Sequence, residues 1–348
     1  MDEGSEASAA HAIRLSHPEV TAPEVTAIVI GRNEGARLSA CLTSLQGCKA
    51  IIYVDSGSTD NSLAIAQSLG ATVVELDMRI PFTAARARNA GFVHARAIGA
   101  ADQYVQFVDG DCEVIAGWIV GAVEFLDTHP EFAVVCGQRH ERYPDRSIYN
   151  ALCDREWNTP VGEAEACGGD ALMRAEAFMA VGGYTDTQIA HEEPELCGRL
   201  RRAGFRVFRI DLPMTLHDAA ILRLAQFYKR NRRAGFGIAQ CLILTGRAMD
   251  RTGLVMARRF AIWGMGIPLA ILIASLAVGP AALAGLLIYP AQIVRHAIRD
   301  PYGAGGGLAH RLHVAALFML CKFAEAHGAV EFFIKRALGA RMSAIVYK

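Results

Sequence analysis

The sequence predicts an α/β fold with a mainly parallel sheet, followed by a C-terminal helical region associated with a membrane. Two observations predict the α/β part: apolar runs typical of buried strands alternate with helix-spaced apolar residues, and short polar loops join them. A third observation predicts the helical region, because residues 260–294 contain no charged side chain. The chain therefore divides into an α/β domain and an apolar C-terminal part.

The first two units of the chain each consist of a strand, a loop and a helix. The apolar run 25–30 is closed by the loop 31–34, and a helical pattern begins at Leu38. The run 50–54 is followed by the polar loop 55–60 and a helix that ends before Gly70. In such folds ligands collect at the carboxyl ends of the strands, where this sequence carries Asn33, Glu34 and Asp55.

Two carboxylates follow the next apolar strand directly. Asp109 and Asp111 come one residue apart after the run 104–108. Oxygen ligands suit Mg²⁺ or Mn²⁺, and a cation held in this way can also bind a diphosphate. Asp-x-Asp alone is also typical of a polar turn after a buried strand. Together with the other strand-end residues, the pair predicts an enzyme that acts on a nucleotide sugar.

The chain resembles the family 2 glycosyltransferases, which have the GT-A fold. The matching segments appear in the family's order within residues 25–240. They are 30–34, 54–60, 87–91, 108–111, 167–174, 181–184 and 192–200. The resemblance implies an inverting, metal-dependent transfer of a sugar from a nucleoside diphosphate sugar to an acceptor hydroxyl.

The resemblance also implies which residues hold the donor. Asp55 would accept hydrogen bonds from the nucleotide base, and Arg88 with Asn89 would lie near the nucleotide and diphosphate. An exposed helix-surface arginine is the alternative interpretation of Arg88. The other donor-binding candidates are Asn33, Glu34, Asp109, Gly169 and Asp170.

A divalent cation, Mg²⁺ or Mn²⁺, is the cofactor that the resemblance implies. Asp111 would be the direct ligand, and Asp109 would contact the sugar or ribose, or reach the metal through water. His217, at the end of a later apolar strand, would complete the site, although a structural role is equally typical of a lone histidine. Gly169 would let the sugar approach the backbone, and Asp170 would contact sugar hydroxyls.

The general base of the resembled enzymes is the second acid of an acidic pair that opens a helix. This chain has Glu192 and Glu193 at that place, which makes Glu193 the predicted base and Glu192 the alternative. Ordinary first-turn helix acidity would produce the same pattern. Trp157, in an earlier segment, is a candidate platform for a sugar ring or else a core residue.

The uncharged stretch 260–294 is long enough for one span or a tight hairpin, and Gly279 with Pro280 interrupts it near its middle. Arginines flank both ends, which predicts a hairpin with both ends in the cytoplasm. A buried helical pair of a soluble protein is the alternative. The mixed segment 308–338 predicts a helix at the membrane interface, and the basic stretch 223–233 predicts contacts with lipid headgroups or a lipid-linked diphosphate.

Composition sets further bounds on the 348 residues. The formal net charge is zero and no RNA-binding motif accompanies the basic stretch, so we expect no nucleic-acid partner. Residues 1–24 predict a disordered tail, followed by the domain 25–240 and a membrane-associated region 241–348. Nine cysteines without a Cys-x-x-Cys pair fit a reducing cytoplasm. We expect an inner-membrane protein whose catalytic domain is cytoplasmic.

Three interpretations remain beside the main one. A polyprenyl-phosphate glycosyltransferase would use an acceptor that is already an anion, and would need a base less. A sugar-nucleotide nucleotidyltransferase would use a similar sheet, but typically has a glycine-rich basic loop that residues 31–35 only partly match. A non-catalytic membrane scaffold would have no use for Asp111 and Glu193. The main interpretation predicts a nucleoside diphosphate sugar donor, a lipid-linked or glycan acceptor, and contact with membrane lipid.

Overall fold

A computed structural model describes residues 24–101, 103–246, 249–301, 303–340 and 342. The predicted α/β fold is confirmed: a nine-stranded mixed sheet is flanked by helices, and further helices follow it. The predicted tail, residues 1–24, lies outside the described residues except for Glu24.

The sheet has the order β3-β2-β1-β4-β8-β6-β9-β5, and β7 pairs with β9. The strands are β1 (Val25–Gly31), β2 (Ala50–Asp55), β3 (Thr72–Glu75), β4 (Tyr104–Asp109), β5 (Cys112–Val114), β6 (Phe132–Glu141), β7 (Gly162–Glu163), β8 (Ala171–Arg174) and β9 (Arg206–His217). Strands β1 to β4 are parallel, and the apolar residues of β1, β2 and β4 are buried on both faces because helices cover the sheet.

Eight helices belong to the described part of the α/β region. They are α1 (Ala36–Ser44), α2 (Ser62–Ser68), α3 (Ala84–Ala97), α4 (Trp118–Thr128), α5 (Ile148–Trp157), α6 (Ala175–Ala180), α7 (Glu192–Arg202) and α8 (Leu224–Thr245). Helix α3 begins at a Thr83 cap, whose hydroxyl accepts from the Arg86 backbone N–H. Its buried face lies on β1 and β2 and includes Arg88.

The strand register brings the predicted site residues to one edge. Gly31 at the end of β1 pairs with Asp55 of β2, and Ile30 pairs with Asp109 of β4. On the other half of the sheet, β5 runs antiparallel to the end of β9, and Cys112 pairs with His217. The carboxyl ends of β1, β2, β4 and β9 therefore meet around the turn that contains Asp109 and Asp111.

Four further helices follow: α9 (Arg251–Phe260), α10 (Ile267–Val278), α11 (Ile288–Arg299) and α12 (Leu308–Ala337). A π-helical turn, Ala261–Gly266, joins α9 to α10, and a 3₁₀ segment, Pro280–Leu287, leads into α11. The segments Arg251–Val278 and Pro280–Arg299 are long and apolar enough to cross a bilayer. The helical segments thus extend beyond the predicted hairpin 260–294 at both ends and include the flanking arginines.

Helix α12 packs lengthwise on α8. The two backbones touch at glycines: a Cβ on Gly235 would lie 1.9 Å from the Glu325 carbonyl oxygen, and one on Gly328 would lie 1.9 Å from that of Arg232. The predicted interfacial helix 308–338 is therefore also a helix docked on the α/β domain. The predicted boundary at residue 240 falls inside α8, so the change in composition does not coincide with the end of a helix.

Candidate active site

The carboxylate of Asp111 and the imidazole of His217 form a pair at the β5–β9 edge. His217 Nε2 lies 3.3 Å from Asp111 Oδ2, and both side chains are about nine-tenths buried. Asp111 lies in the turn just before β5, and the pairing of Cys112 with His217 brings this turn next to the end of β9. Ligand atoms of Asp111, Cys112 and His217 lie within 4.8 Å of one another. The structure therefore brings the side chains of Asp111 and His217 together.

His217 is held as a neutral imidazole. Burial, and then the charge of Arg139, lower the pKa of His217 to about 4. Its Nδ1 atom is buried without a hydrogen-bond partner. The ring lies edge-on to the indole of Trp157, with centroids 4.7 Å apart. Trp157, half-buried at the end of α5, thus borders the site.

The donor set suits a hard or borderline divalent cation. Carboxylate oxygen and neutral imidazole nitrogen are ligands of Mn²⁺, and carboxylate oxygen is the preferred ligand of Mg²⁺. Burial raises the pKa of the Cys112 thiol well above its usual value, and sulfur is too soft a ligand to suit Mg²⁺ or Mn²⁺. Asp111 and His217 are therefore the residues here that fit a metal.

Asp109, the first acid of the pair, is tied to α3. Its Oδ1 atom accepts a hydrogen bond from Arg88 Nη2 at 2.7 Å. Arg88 Nη1 donates to Glu192 Oε1 at 2.8 Å, so one guanidinium joins the end of β4 to the start of α7. The Arg88 side chain is only 2% exposed. The alternative interpretation of Arg88 as an exposed helix-surface residue is wrong.

The Asp170 carboxylate binds the backbone of Asp109 and two side chains on neighbouring strands. Its Oδ1 accepts from the Asp109 backbone N–H, and its Oδ2 accepts from the Thr215 hydroxyl and lies 2.6 Å from Arg139 Nη2. The carboxylate has no exposed surface. In this structure the buried carboxylate of Asp170 joins the Asp109 backbone to Thr215 and Arg139.

Gly169 sits where these side chains crowd together. A Cβ there would lie 3.0 Å from Asp109 Oδ2, 3.1 Å from Arg88 Nη2 and 3.4 Å from Arg139 Nη2. The missing side chain therefore lets the two arginines and Asp109 pack side by side.

The loop residues that are predicted to hold the nucleotide form hydrogen bonds mainly with their own loop or with a neighbouring one. The Asp55 carboxylate accepts from the backbone N–H groups of Gly57 and Ser58 and from the Tyr53 hydroxyl. Asn33 Oδ1 accepts from the Thr59 N–H at 2.7 Å, which joins the loops after β1 and β2. These contacts shape the edge of the sheet, and Asp55 is itself buried.

Two further predicted donor residues have protein partners. Asn89 binds the backbone N–H and C=O of Tyr184 and also donates to Asp186. Glu34 forms an ion pair with Arg37 at 2.8 Å. Asn89 thus fixes the segment that leads to α7, while Glu34 lies at the entrance to α1.

The two carboxylates of the acidic pair, Glu192 and Glu193, have different surroundings. Glu192 is buried and bound to Arg88. Glu193 is half-buried and takes part in no ion pair among the described residues. Burial, and then the charge of Glu192, raise the pKa of Glu193 to about 7. A carboxylate with this pKa is suited to accept a proton near neutral pH.

Sequence reasoning missed Arg139 and Thr215. They pair in register on β6 and β9, and both contact Asp170. Arg139 also lies over the Trp157 ring, 5.5 Å from its centroid. No local signal marks them, because an arginine near the end of a strand usually reaches solvent.

The basic stretch 223–233 is less available than the sequence predicts. Arg230 is paired with Glu156 and Arg232 with Glu331, and Arg233 donates to the Ile189 carbonyl oxygen. Arg223 and Lys229 are exposed. Headgroup contacts by the whole stretch would compete with these internal bonds.

Residues 26–180 match the sequence profile of the family described as "Glycosyl transferase family 2". The chain contains a family 2 glycosyltransferase domain. Its strands β1 to β8 and the residues Asp55, Arg88, Asp109, Asp111 and Asp170 lie within the matched range, whereas the acidic pair and His217 follow it. The family assignment made from the ordered motifs is confirmed.

Two relatives of the family 2 domain come from Rhizobium meliloti (strain 1021). The succinoglycan biosynthesis protein ExoA is 26% identical over 214 residues, which are 57% of this chain and 64% of ExoA. The lipopolysaccharide core biosynthesis glycosyltransferase LpsC is 48% identical over 44 residues, or 13% of this chain and 16% of LpsC. The matches thus span less than two thirds of either relative.

A solved structure has the same fold. The mannosyltransferase PcManGT from Pyrobaculum calidifontis, in complex with GDP-Man and Mn²⁺, superposes with a TM-score of 0.60. The superposition covers 89% of this chain and 87% of PcManGT, at 19% sequence identity. The shared fold therefore extends beyond the family 2 domain into the C-terminal helices.

Proposed function

We propose that this chain is an inverting, metal-dependent glycosyltransferase. It moves a sugar from a nucleoside diphosphate sugar to a hydroxyl of a lipid-linked or polysaccharide acceptor, in the synthesis of a bacterial cell-surface or extracellular polysaccharide. One observation carries the proposal: Arg88 brings the Asp109–Asp111 turn and the Glu192–Glu193 pair into one site at the carboxyl edge of the sheet. The family 2 domain and the polysaccharide enzymes among its relatives support the reaction class.

In this mechanism each group has a distinct task. Asp111 and His217 would hold Mg²⁺ or Mn²⁺, which when bound stabilises charge on the leaving diphosphate. Asp55, Asn33 and Glu34 border the place for the nucleotide, and Asp109 faces the donor sugar. Glu193 removes the proton of the acceptor hydroxyl as its oxygen attacks the anomeric carbon. Glu192 is less suited to meet the acceptor because its carboxylate is buried and already bound to Arg88.

In the proposed function, the two apolar helical segments hold the enzyme at the membrane, where a lipid-linked acceptor would be found. Segments Arg251–Val278 and Pro280–Arg299 form a hairpin in the inner membrane, with the family 2 domain in the cytoplasm. Almost no residue in the apolar stretches of these two segments is buried, and a bilayer would cover their apolar surface. Helix α12, docked on α8, then lies at the membrane interface, within reach of a lipid-linked acceptor.

The experiment is a panel of sugar nucleotides offered to the purified full-length protein in detergent, with and without Mn²⁺. We expect at least one to raise the thermal unfolding midpoint only when the metal is present, because a ligand that binds the folded state stabilises it. Membranes that contain the protein should then transfer the radiolabelled sugar to lipid or glycan and release nucleoside diphosphate. Release of pyrophosphate would contradict the proposal and favour a nucleotidyltransferase.

The acceptor class has its own test. A hydroxyl acceptor needs the base, so transfer should depend on Glu193. Full transfer by a Glu193→Gln variant would instead favour a polyprenyl phosphate acceptor, whose oxygen is already an anion.

A further inference from the structure

The side chain of Arg88 lies between the two halves of the site. Nη2 binds Asp109 at the end of β4, and Nη1 binds Glu192 in the first turn of α7. The guanidinium carbon lies 5.4 Å from the centroid of the Tyr184 ring. Gly169 provides the space for Nη2, since a Cβ there would approach it to 3.1 Å. The guanidinium is therefore enclosed by four different segments of the chain.

This enclosure is unlike that of a residue that binds phosphate. A guanidinium that binds a diphosphate presents two N–H groups toward solvent, so that it can form a fork with phosphate oxygens. Both terminal nitrogens of Arg88 already donate to carboxylates, and its Nε is buried without a partner. The side chain would have to break two charged hydrogen bonds before it could reach a ligand.

The contact with Glu192 has a consequence for Glu193. Successive residues of a helix point about 100° apart, so fixing Glu192 inward also fixes the direction of Glu193. The burial agrees, because Glu192 is 6% exposed and Glu193 is half-buried. Helix α7 starts at this acidic pair, where a helix end would otherwise fray.

We propose that Arg88 is a positioning residue that fixes the first turn of α7, and with it the carboxylate of Glu193, relative to Asp109. This inference rests on the proposed glycosyltransferase function, in which Glu193 meets the acceptor and Asp109 faces the donor sugar. Glu192 acts in it as the anchor of α7. Arg88 affects the chemical step without touching the diphosphate.

The test is a double-mutant cycle with Arg88→Lys and Glu192→Gln in the full-length protein. Lysine keeps the charge but cannot bind two carboxylates in a fork, and glutamine keeps the shape of Glu192 without its charge. Calorimetry with Mn²⁺ and UDP or GDP, whichever the wild type binds, gives affinity and the number of binding sites. Release of nucleoside diphosphate from the matching sugar nucleotide, with water as acceptor, gives kcat per binding site, so that unfolded protein is not counted.

We expect each single variant to bind the nucleoside diphosphate within about threefold of the wild type, while kcat falls at least about tenfold. The double variant should lose little more than one single variant, because both remove the same contact. Arg86→Lys is the matched control: Arg86, two residues earlier on α3, donates to the Ile80 and Pro81 carbonyl oxygens and should leave both readouts unchanged.

Three results would overturn the proposal. The first is a tenfold loss of nucleoside diphosphate affinity in Arg88→Lys with an unchanged kcat, which would make Arg88 a diphosphate ligand. The second is two losses of kcat that multiply in the double variant. The third is an unchanged kcat in Glu192→Gln, which decides the matter even if Arg88→Lys does not fold. Failure of the proposed function can be distinguished from these results, because the wild-type protein would then neither bind a nucleoside diphosphate nor release one from a sugar nucleotide. The positioning role would fail with it.

Discussion

His217 Nε2 lies 3.3 Å from Asp111 Oδ2, although Asp111 belongs to the family 2 domain and His217 lies beyond it in the sequence. The contact depends on the antiparallel pairing of β5 with β9. Because the imidazole is neutral near pH 7, the pair presents one charged and one neutral ligand atom. A cation bound there would relieve the crowding of carboxylates around Asp109, Asp111 and Asp170.

We expect Asp111→Asn to abolish most turnover and to weaken Mn²⁺-dependent nucleotide binding, because a neutral amide cannot balance the charge of the cation. Titration of Mn²⁺ by electron paramagnetic resonance, with and without nucleotide, measures the loss directly. Glu113→Gln is the control, because Glu113 lies two residues further on and pairs with Arg142. Normal Mn²⁺ affinity in Asp111→Asn would remove Asp111 from the site.

We expect Glu193→Gln to lower the rate by ~10²-fold or more while donor binding stays near normal, in the usual range for loss of a general base. In the wild type, kcat/KM should fall as the pH drops through about 7, because protonated Glu193 cannot accept the acceptor's proton. The charge of Glu192 raises this pKa, so Glu192→Gln should move the acidic limb of the profile to lower pH. A large rate loss in Glu192→Gln with none in Glu193→Gln would exchange the two roles.

The same shift predicts an effect on stability. Glu193 has a pKa of about 7 in the folded protein, whereas the unfolded side chain loses its proton near the ordinary glutamate pKa of 4.5. The folded state therefore binds more protons between these values, and its stability falls as the pH rises through this window. Glu193→Gln should raise the thermal unfolding midpoint at pH 8 but not at pH 4. An equal change of the unfolding midpoint at both pH values would show that folding does not raise the pKa of Glu193.

Arg139→Leu should destabilise the protein by about 3–5 kcal/mol, because it leaves the buried charge of Asp170 without its ion-pair partner. The double variant with Asp170→Leu should recover part of this loss. Denaturant unfolding followed by intrinsic fluorescence measures both changes. As a control, Arg206→Leu removes the exposed ion pair with Glu163 and should cost less than about 1 kcal/mol.

Gly328→Ala should lower the unfolding midpoint and loosen α12 from α8, because the added Cβ would lie 1.9 Å from the Arg232 carbonyl oxygen. Overpacking of this kind costs about 1–3 kcal/mol or more. Gly307→Ala, at the start of the same helix with no atom within 4 Å of the added Cβ, should be neutral. Faster hydrogen exchange of α12 in Gly328→Ala alone would locate the effect, and equal behaviour of both variants would contradict it.

A charge in the middle of α10 should impair membrane integration. Ile271→Asp should cost roughly 2.5 to 3.5 kcal/mol of insertion free energy, which carbonate extraction of membranes would show as lost retention. Ile98→Asp, on the exposed surface of the α/β domain, is the control. In intact cells, a membrane-impermeant thiol reagent should label Ala281→Cys at the hairpin turn, but neither Ser39→Cys nor Gly307→Cys. Labelling of Gly307→Cys from outside would contradict the hairpin.

The α/β core could be predicted because its signals are local. A buried parallel strand is a continuous apolar run, and the loop that follows it must carry polar residues, so the strand ends of β1, β2 and β4 were visible in the sequence. Asp55, Asp109 and Asp111 then had to share an edge, because parallel strands end together.

The contacts between those residues could not be predicted. Arg88 and Glu192 are 104 positions apart, and only the folded structure shows that they bind each other. Arg139 follows Gln138 in the polar end of β6. Apolar and polar residues do not alternate there, so the sequence pattern cannot distinguish an exposed arginine from one bound to Asp170. The docking of α12 on α8 was also hidden, since a glycine in a helix does not reveal which backbone approaches it.

The pairing of β5 with β9 also sets an order for the synthesis of the protein. A nascent chain that has emerged only as far as α5 contains Asp111 but not the strand that carries His217. Closing that long loop has an entropic cost that only the late contacts of β9 offset. Asp111 and His217 therefore meet only after β9 has been synthesised and has paired with β5, and a chain that ends before β9 lacks this contact.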